Sequence, residues 1–386
     1  MRCTLAIVAI LGACSGEHGG NPDAASDTVV PDAAVDAPPT CATPVTVNPA
    51  TASEIAVVGE TAAEGIFDPS IIYPVGAMAG AMTYSSVPDQ LTIRTHVAVS
   101  SDHGATWTMA AEANMPEATS IASSDCGGTC TGNLISEVSS LVYDDTDANP
   151  NARWKLFAHR YLVSPGQGSA VVLHYVLGTI ALQTAPAPSG PWSAPQKLIG
   201  WNHAGSTYSS TGVVANVSTL AGTAQDCLAL TEPGALVLPD AIDLAVGCVY
   251  LVAGDTQPHI RVELLRSPDH GATWGSVGTL VRPEDAAGCF GATTSINGAD
   301  LFVENGHEYV SATPTDSLGY HGCLVFPIDD PATGAIRRDA TNHAVVTHAI
   351  TAAQFDGACT YAEATGYVMD VGFLTDARKF RMFSAP

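Results

Sequence analysis

The chain has 386 residues, 46% of them apolar and 13% charged, and a formal charge of −24 with only three lysines. Such an acidic surface repels a phosphate backbone, which excludes nucleic acid as a partner. With 36 glycines and 25 prolines between short runs rich in Val, Ile and Tyr, a sheet-dominated fold with many turns and no long helix is expected.

The first residues, MRCTLAIVAILGACSGEHGG, combine one early basic residue, an apolar run too short to span a bilayer, and small residues before Cys14, the pattern of an export signal. Leu11-Gly12-Ala13-Cys14 resembles the bacterial lipobox. That resemblance implies cleavage before Cys14, lipidation of its sulfur and an outer-membrane or cell-surface lipoprotein; an ordinary secretory signal is the alternative. Residues 15–44, rich in Asp, Ala and Pro, hold too little apolar bulk to fold and read as a disordered acidic tether, which leaves 45–386 as the folded domain. Setting Cys3 and Cys14 aside, eight of the ten cysteines remain, an even number that implies disulfides in an exported chain. Their pairing is open, although Cys126 and Cys130 are spaced to close a small loop.

From about residue 54 one rhythm repeats: short apolar strand, turn, longer alternating strand, turn, third strand. Units run through SIIYP to ATWTMA, SSLVYDD to GPWSAP, GALVLPD to ATWGSV, ADLFVEN to HGCLVFPID, and CTYAEA to KFRMFSAP. A period of roughly 60 to 70 residues suits four-stranded blades around an axis, an all-β β-propeller. The last unit is one strand short, and Glu54–Val58 is placed to close the ring from the other end of the chain, with a Cys41 to Cys359 disulfide beside it. Five blades result, or six if the segment from Gln196 to Leu230 holds a degenerate one.

SSDHGATW (Ser100 to Trp107) returns as SPDHGATW (Ser267 to Trp274). Both resemble the Asp box, or BNR repeat, Ser-x-Asp-x-Gly-x-Thr-Trp, of sialidases and other propellers. The resemblance implies a turn between the third and fourth strands of a blade, with Asp102 and Asp269 binding backbone amides and Trp107 and Trp274 packed inward, far from an axial pocket.

In a propeller the first strand of each blade lines the channel, so polar residues at those strand starts converge. They read Asp68, Glu137, Glu232, Asp300 and Glu363. Crowded carboxyls push each other's pKa values apart, as glycosidic cleavage by an acid and a base requires. Asp68-Pro69-Ser70 looks like the first-blade Asp-Pro of five-bladed arabinanases, xylosidases and invertases, and Glu232-Pro233-Gly234 is similar to their third-blade acid motif. The resemblance implies Asp68 as base or nucleophile and Glu232 as general acid. Glu137 stands where those families place a tuning Asp, a departure in residue type.

A sialidase would need an arginine triad, a Tyr nucleophile and its Glu partner. Arg94, Arg160, Tyr361 and Glu363 are the candidates for such substrate contacts, but the Arg-Ile-Pro motif is absent. The reading is therefore an exported glycoside hydrolase-like monomer cleaving a terminal sugar; the alternatives are a noncatalytic propeller binding glycan or protein at the cell surface, and then an exo-sialidase. No cofactor is required, there is room for an axial calcium, and membrane contact comes only through the lipid anchor.

Overall fold

Turns rich in Gly, Asn and Asp cut the sequence into runs, several of them buried on both faces, and each run pairs with the next. The computed structural model describes residues 41–385 apart from 75, 169, 256, 291–292, 317–318, 353–354 and 373–380. The lipobox, Cys14 and the body of the tether lie outside these residues.

The strands form five antiparallel meanders. Meander I comprises Ile66–Ile72, Gly80–Ser86, Arg94–Ser100 and Trp107–Asn114. Meander II comprises Gly128–Tyr143, Trp154–Pro165, Val171–Ala185 and Gln196–Gly200, with Glu117–Ser123 added to its first strand. Meander III comprises Ala229–Leu238, Ala241–Leu251, Pro258–Ser267 and Gly275–Val281. Meander IV comprises Ser295–Glu304, His307–Asp316, Cys323–Asp330 and His348–Ala352. Meander V has Phe355–Ala362, Gly366–Gly372 and Arg381–Ser384, and Glu54–Ile55 supplies its fourth strand, as expected from the sequence. The segment from Gln196 to Leu230 holds no further meander among the described residues: beyond the outer strand of meander II it carries one two-residue strand and two short 3-10 turns.

Apolar clusters fill the seams between neighbours. Phe157, Trp201 and Leu244 pack between II and III, Val262 and Phe326 between III and IV, and Cys323 and Met369 between IV and V. The last seam closes a ring, because Met82 and Tyr84 of meander I pack on Val368 and Met382 of meander V. The single described α-helix, Pro283–Phe290, lies outside this pattern.

Four disulfides join Cys41 to Cys289, Cys126 to Cys130, Cys227 to Cys248 and Cys323 to Cys359, which suits an oxidising, extracellular setting. The expected Cys41 to Cys359 bond is therefore wrong. Cys359 sits inside the ring and reaches the adjacent meander, while the N-terminal segment is tied to the helix.

Both octapeptide turns fall between third and fourth strands. Thr106 N and Oγ1 donate to Asp102 at 2.9 and 2.7 Å, and Gly104 N donates to Ser100 Oγ at 2.8 Å. Thr273 and Gly271 repeat the pattern on Asp269 and Ser267, and both tryptophans are buried. Each turn also docks on the preceding meander: His270 Nδ1 meets Asp144 at 2.8 Å, and Gly104 is so close to Thr365 that a Cβ would lie 2.3 Å from it.

Candidate active site

Each inner strand breaks its register once, at an equivalent place. The interruptions fall between Phe67 and Ser70, at Val138, between Thr231 and Gly234, between Asn297 and Asp300, and between Asp356 and Cys359. These are β-bulges, and they re-aim one residue per strand toward the axis. All five contribute to one small axial cavity, lined by residues 68–70, 138–140, 233, 298–300 and 358–359.

The bulges are strained where they carry side chains. Asp68, Val138 and Glu232 have φ of 52°, 45° and 48°, in the left-handed region that L-residues avoid; the counterpart in meander IV is Gly298 at 58°. A proline follows both Asp68 and Glu232, and a residue before proline prefers extended backbone, so their conformation is disfavoured twice. Strain of this kind costs about 1–3 kcal/mol per residue and concentrates where geometry serves chemistry.

Neighbouring meanders hold these positions. Ser85 Oγ accepts from Val138 N at 3.1 Å and is also hydrogen-bonded to Asp68. Leu141 N donates to Ser70 Oγ at 3.0 Å, and Ala235 N donates to Ser140 Oγ at 2.8 Å. Asp300 occupies the same place two residues beyond its bulge and accepts from Thr360 Oγ1 at 2.6 Å. It is a strut between meanders IV and V.

Asp68, Glu137 and Glu232 are each partly exposed, and their charges act on one another. Desolvation raises the Asp68 carboxyl well above its ordinary value, and the charges of Asp370, Glu232 and Glu137 raise it further. Desolvation and the Glu137 charge push Glu232 up to about 8, against the pull of the Gly298 amide and the Tyr320 hydroxyl, which donates to Oε1 at 3.3 Å. Glu137 is pushed up to about 7 by burial, although Tyr161 donates a short hydrogen bond to it.

Glu137 is not the direct counterpart of Asp68 and Glu232. The register puts Val138 at the bulge, and Glu137 one residue earlier, opposite His159. Its carboxyl accepts from Tyr161, whose ring stacks on His159 at 4.5 Å and lies 4.7 Å from Tyr175. His159 is buried, its pKa pushed down to about 3 by desolvation, so it is neutral at working pH.

Glu363 does not begin an inner strand. It is exposed in the turn after Phe355–Ala362, at the far end from the bulge, and Tyr361 beside it packs on Phe302 and Tyr367 at 5.0 and 4.9 Å. Arg160 is held by Glu117 and Ser136, and it alternates with His159 and Tyr161, so it projects from the other face of its strand. Arg94 lies 4.0 Å from Glu112. Tyr361 and Glu363 are thus at the opposite strand end from the carboxylates, and the two arginines have acidic partners of their own. Trp154 and Trp201 are core residues, Trp192 bonds Pro188 O, and Tyr73 packs beside Trp107, so none of these aromatics lines the axial cavity. Tyr161, Tyr175, Tyr320 and Asp370, missed in the sequence, take the places around the carboxyls. Cys126, Cys130 and His174 lie within 4.8 Å of one another, but the two sulfurs are bonded together and offer no thiolate to a metal.

No protein-family model and no curated protein matches the sequence. Among solved structures, BT0996 in its RGII complex superimposes with a TM-score of 0.54 at 10% identity, covering 87% of this chain and 91% of that one. A thermostable family-43 glycoside hydrolase gives 0.51 at 9% identity, covering 86% and 91%. This chain is a β-propeller. A family 117 glycoside hydrolase, Zg3597 from Zobellia galactanivorans, also matches, at 0.48 and 12% identity over 86% of the propeller and 90% of its own length. At these identities the likeness concerns the fold.

Proposed function

We propose that the propeller is a glycoside hydrolase whose reaction is carried by Asp68, Glu137 and Glu232. The observation behind this is that three partly exposed carboxyls lie close enough for their charges to act on one another, two of them on strained bulges beside a cavity that Asp68 lines. Four acids so close, with Asp370, cannot all be ionised, and a cluster that is part protonated and part ionised is what general acid and base catalysis needs. Glu232, which keeps its proton up to about 8, donates it to the leaving oxygen. Asp68 takes the proton of the attacking water, or attacks the anomeric carbon itself, and the carboxyl separation decides which. Glu137, fixed by Tyr161, keeps Glu232 protonated through its charge.

The cut at a terminal sugar is supported by meander II. Its inner strand starts at Gly128, far before its bulge, whereas the others start two or three residues before theirs, and that extra length would wall one side of the cavity mouth. The axial cavity is lined mostly by apolar surface, and Asp300 is bonded to Thr360, so it offers few of the roughly six to eight oxygens that a calcium ion takes. The same reading counts the five meanders as five blades, takes the octapeptide turns as Asp boxes, and places the chain outside the cell as a monomer, anchored through Cys14. The test is release of free sugar from a panel of aryl glycosides by the wild-type protein. No turnover on any of them, together with retained binding of glycan, would make it a binding propeller instead.

A further inference from the structure

Asp370 has no step of its own in the reaction above, yet it is a carboxyl only 3% exposed, on the same strand face as Val368, which packs toward meander I. Val371 pairs with Asp356 and Met369 with Cys359, so Asp370 lies opposite the bulge of its neighbour strand. Gly357 makes room for it: a Cβ there would lie 2.0 Å from Asp370 Oδ2. The Ala358 amide donates to this carboxyl, but Asp370 Oδ1 is buried with no hydrogen-bond partner. Asp68 Oδ2, on the inner strand of meander I, is in the same condition. An ionised carboxyl can only accept, so each of these oxygens is an unsatisfied acceptor; since Asp370 is the charged neighbour that bears most on Asp68, a proton carried by one carboxyl and donated to the other satisfies both.

We propose that Asp68 and Asp370 share a single proton, with Asp370 as a positioning residue that fixes the Asp68 carboxyl and leaves the pair with one negative charge. The arrangement rests on Asp68 being the base or nucleophile. Two carboxylates brought together cannot both ionise readily, so one proton stays. The charged groups bearing most on Asp68 are acids, namely Asp370, Glu232 and Glu137, and Tyr175 and Tyr320 feel its charge. Of the groups on adjoining strands, Arg381 is 3.4 Å from Glu54, and the Tyr84 hydroxyl donates to Glu60 at 3.0 Å, with His96 also on Glu60.

Asp370→Asn in the full chain supplies a permanent donor and removes the like charge. The acidic limb of the kcat/KM profile is expected to move to lower pH by about one unit or more, a tenfold change in the ionisation constant per unit, with little change in Tm. Asp370→Ala, which supplies no donor, should lower kcat more than it raises KM. Infrared difference titration of the Asp carboxyls, with isotope-labelled Asp, reads the pair without turnover: the wild type should show two widely separated steps, and Asp370→Asn should return the raised Asp68 step toward the ordinary range. An unmoved Asp68 titration in Asp370→Asn overturns proton sharing. A moved titration in a protein that hydrolyses nothing leaves the sharing in place and removes only the hydrolase reading.

Discussion

Substituting Glu232 by Gln tests the acid directly. With its pKa pushed up to about 8, Glu232 is about nine-tenths protonated at pH 7, whereas a carboxyl at the ordinary 4.5 would be protonated about three times in a thousand. Gln keeps one oxygen for the Gly298 amide, and its NH2 can donate to the Tyr320 hydroxyl oxygen, so the pit should retain its shape. General acid catalysis contributes about 10²- to 10⁴-fold, and that loss is expected on glycosides with alkoxide-like leaving groups. On a dinitrophenyl glycoside, whose leaving group departs without a proton, the loss should shrink to a small factor. The assay is kcat/KM for wild type and Glu232→Gln across aryl glycosides of graded leaving-group pKa. An equal loss on every substrate would mean that Glu232 does not protonate the leaving group.

Stability should carry the mark of the same cluster. Glu232, Glu137, Asp370 and Asp300 all have folded values above their unfolded ones, so the folded state binds more protons than the unfolded state between about 4.5 and about 8. Their stabilisation is full below the unfolded values and is lost as pH rises through the folded ones; Tm should climb as pH falls from 8 toward 5, and Glu232→Gln should flatten the slope. Glu60, held down to about 2 by His96 and two backbone amides despite its burial, acts oppositely and is lost only near that pH. Trp107→Ala removes a fully buried ring and should cost about 3–5 kcal/mol by urea unfolding while kcat per folded molecule is unchanged, since Trp107 belongs to a turn and not to the pit. Cys323→Ser, which opens the bond to Cys359 beside the axial cavity, should cost about 2–5 kcal/mol in the same measurement.

The ring is readable because its signals are local. Period-two runs mark the strands, the turn residues mark their ends, and the missing strand of the last unit points to Glu54–Ile55. Asp68 and Glu232 are readable for the same reason: an acid before proline at a strand start is visible in three letters. A bulge is not, because its register depends on the partner strand, which is why the letters alone point to Glu137 for the position that Val138 fills. Glu363 is misleading because CTYAEA reads as the start of a strand when it is the end of one that begins at Phe355. Asp370 in GYVMDVG leaves one signal, a lone charge in an apolar run, and what it meets across the seam is set by the closure of the ring. The Cys41 pairing depends on a helix that composition gives no reason to expect.

The hydrolase reading stands most directly on Asp68. Sugar release by Asp68→Asn, measured beside wild type on the same glycoside with binding of the substrate followed by calorimetry, is expected to fall at least a hundredfold, on the order that loss of a catalytic base entails, while binding persists. Release at the wild-type rate by a folded Asp68→Asn would contradict it.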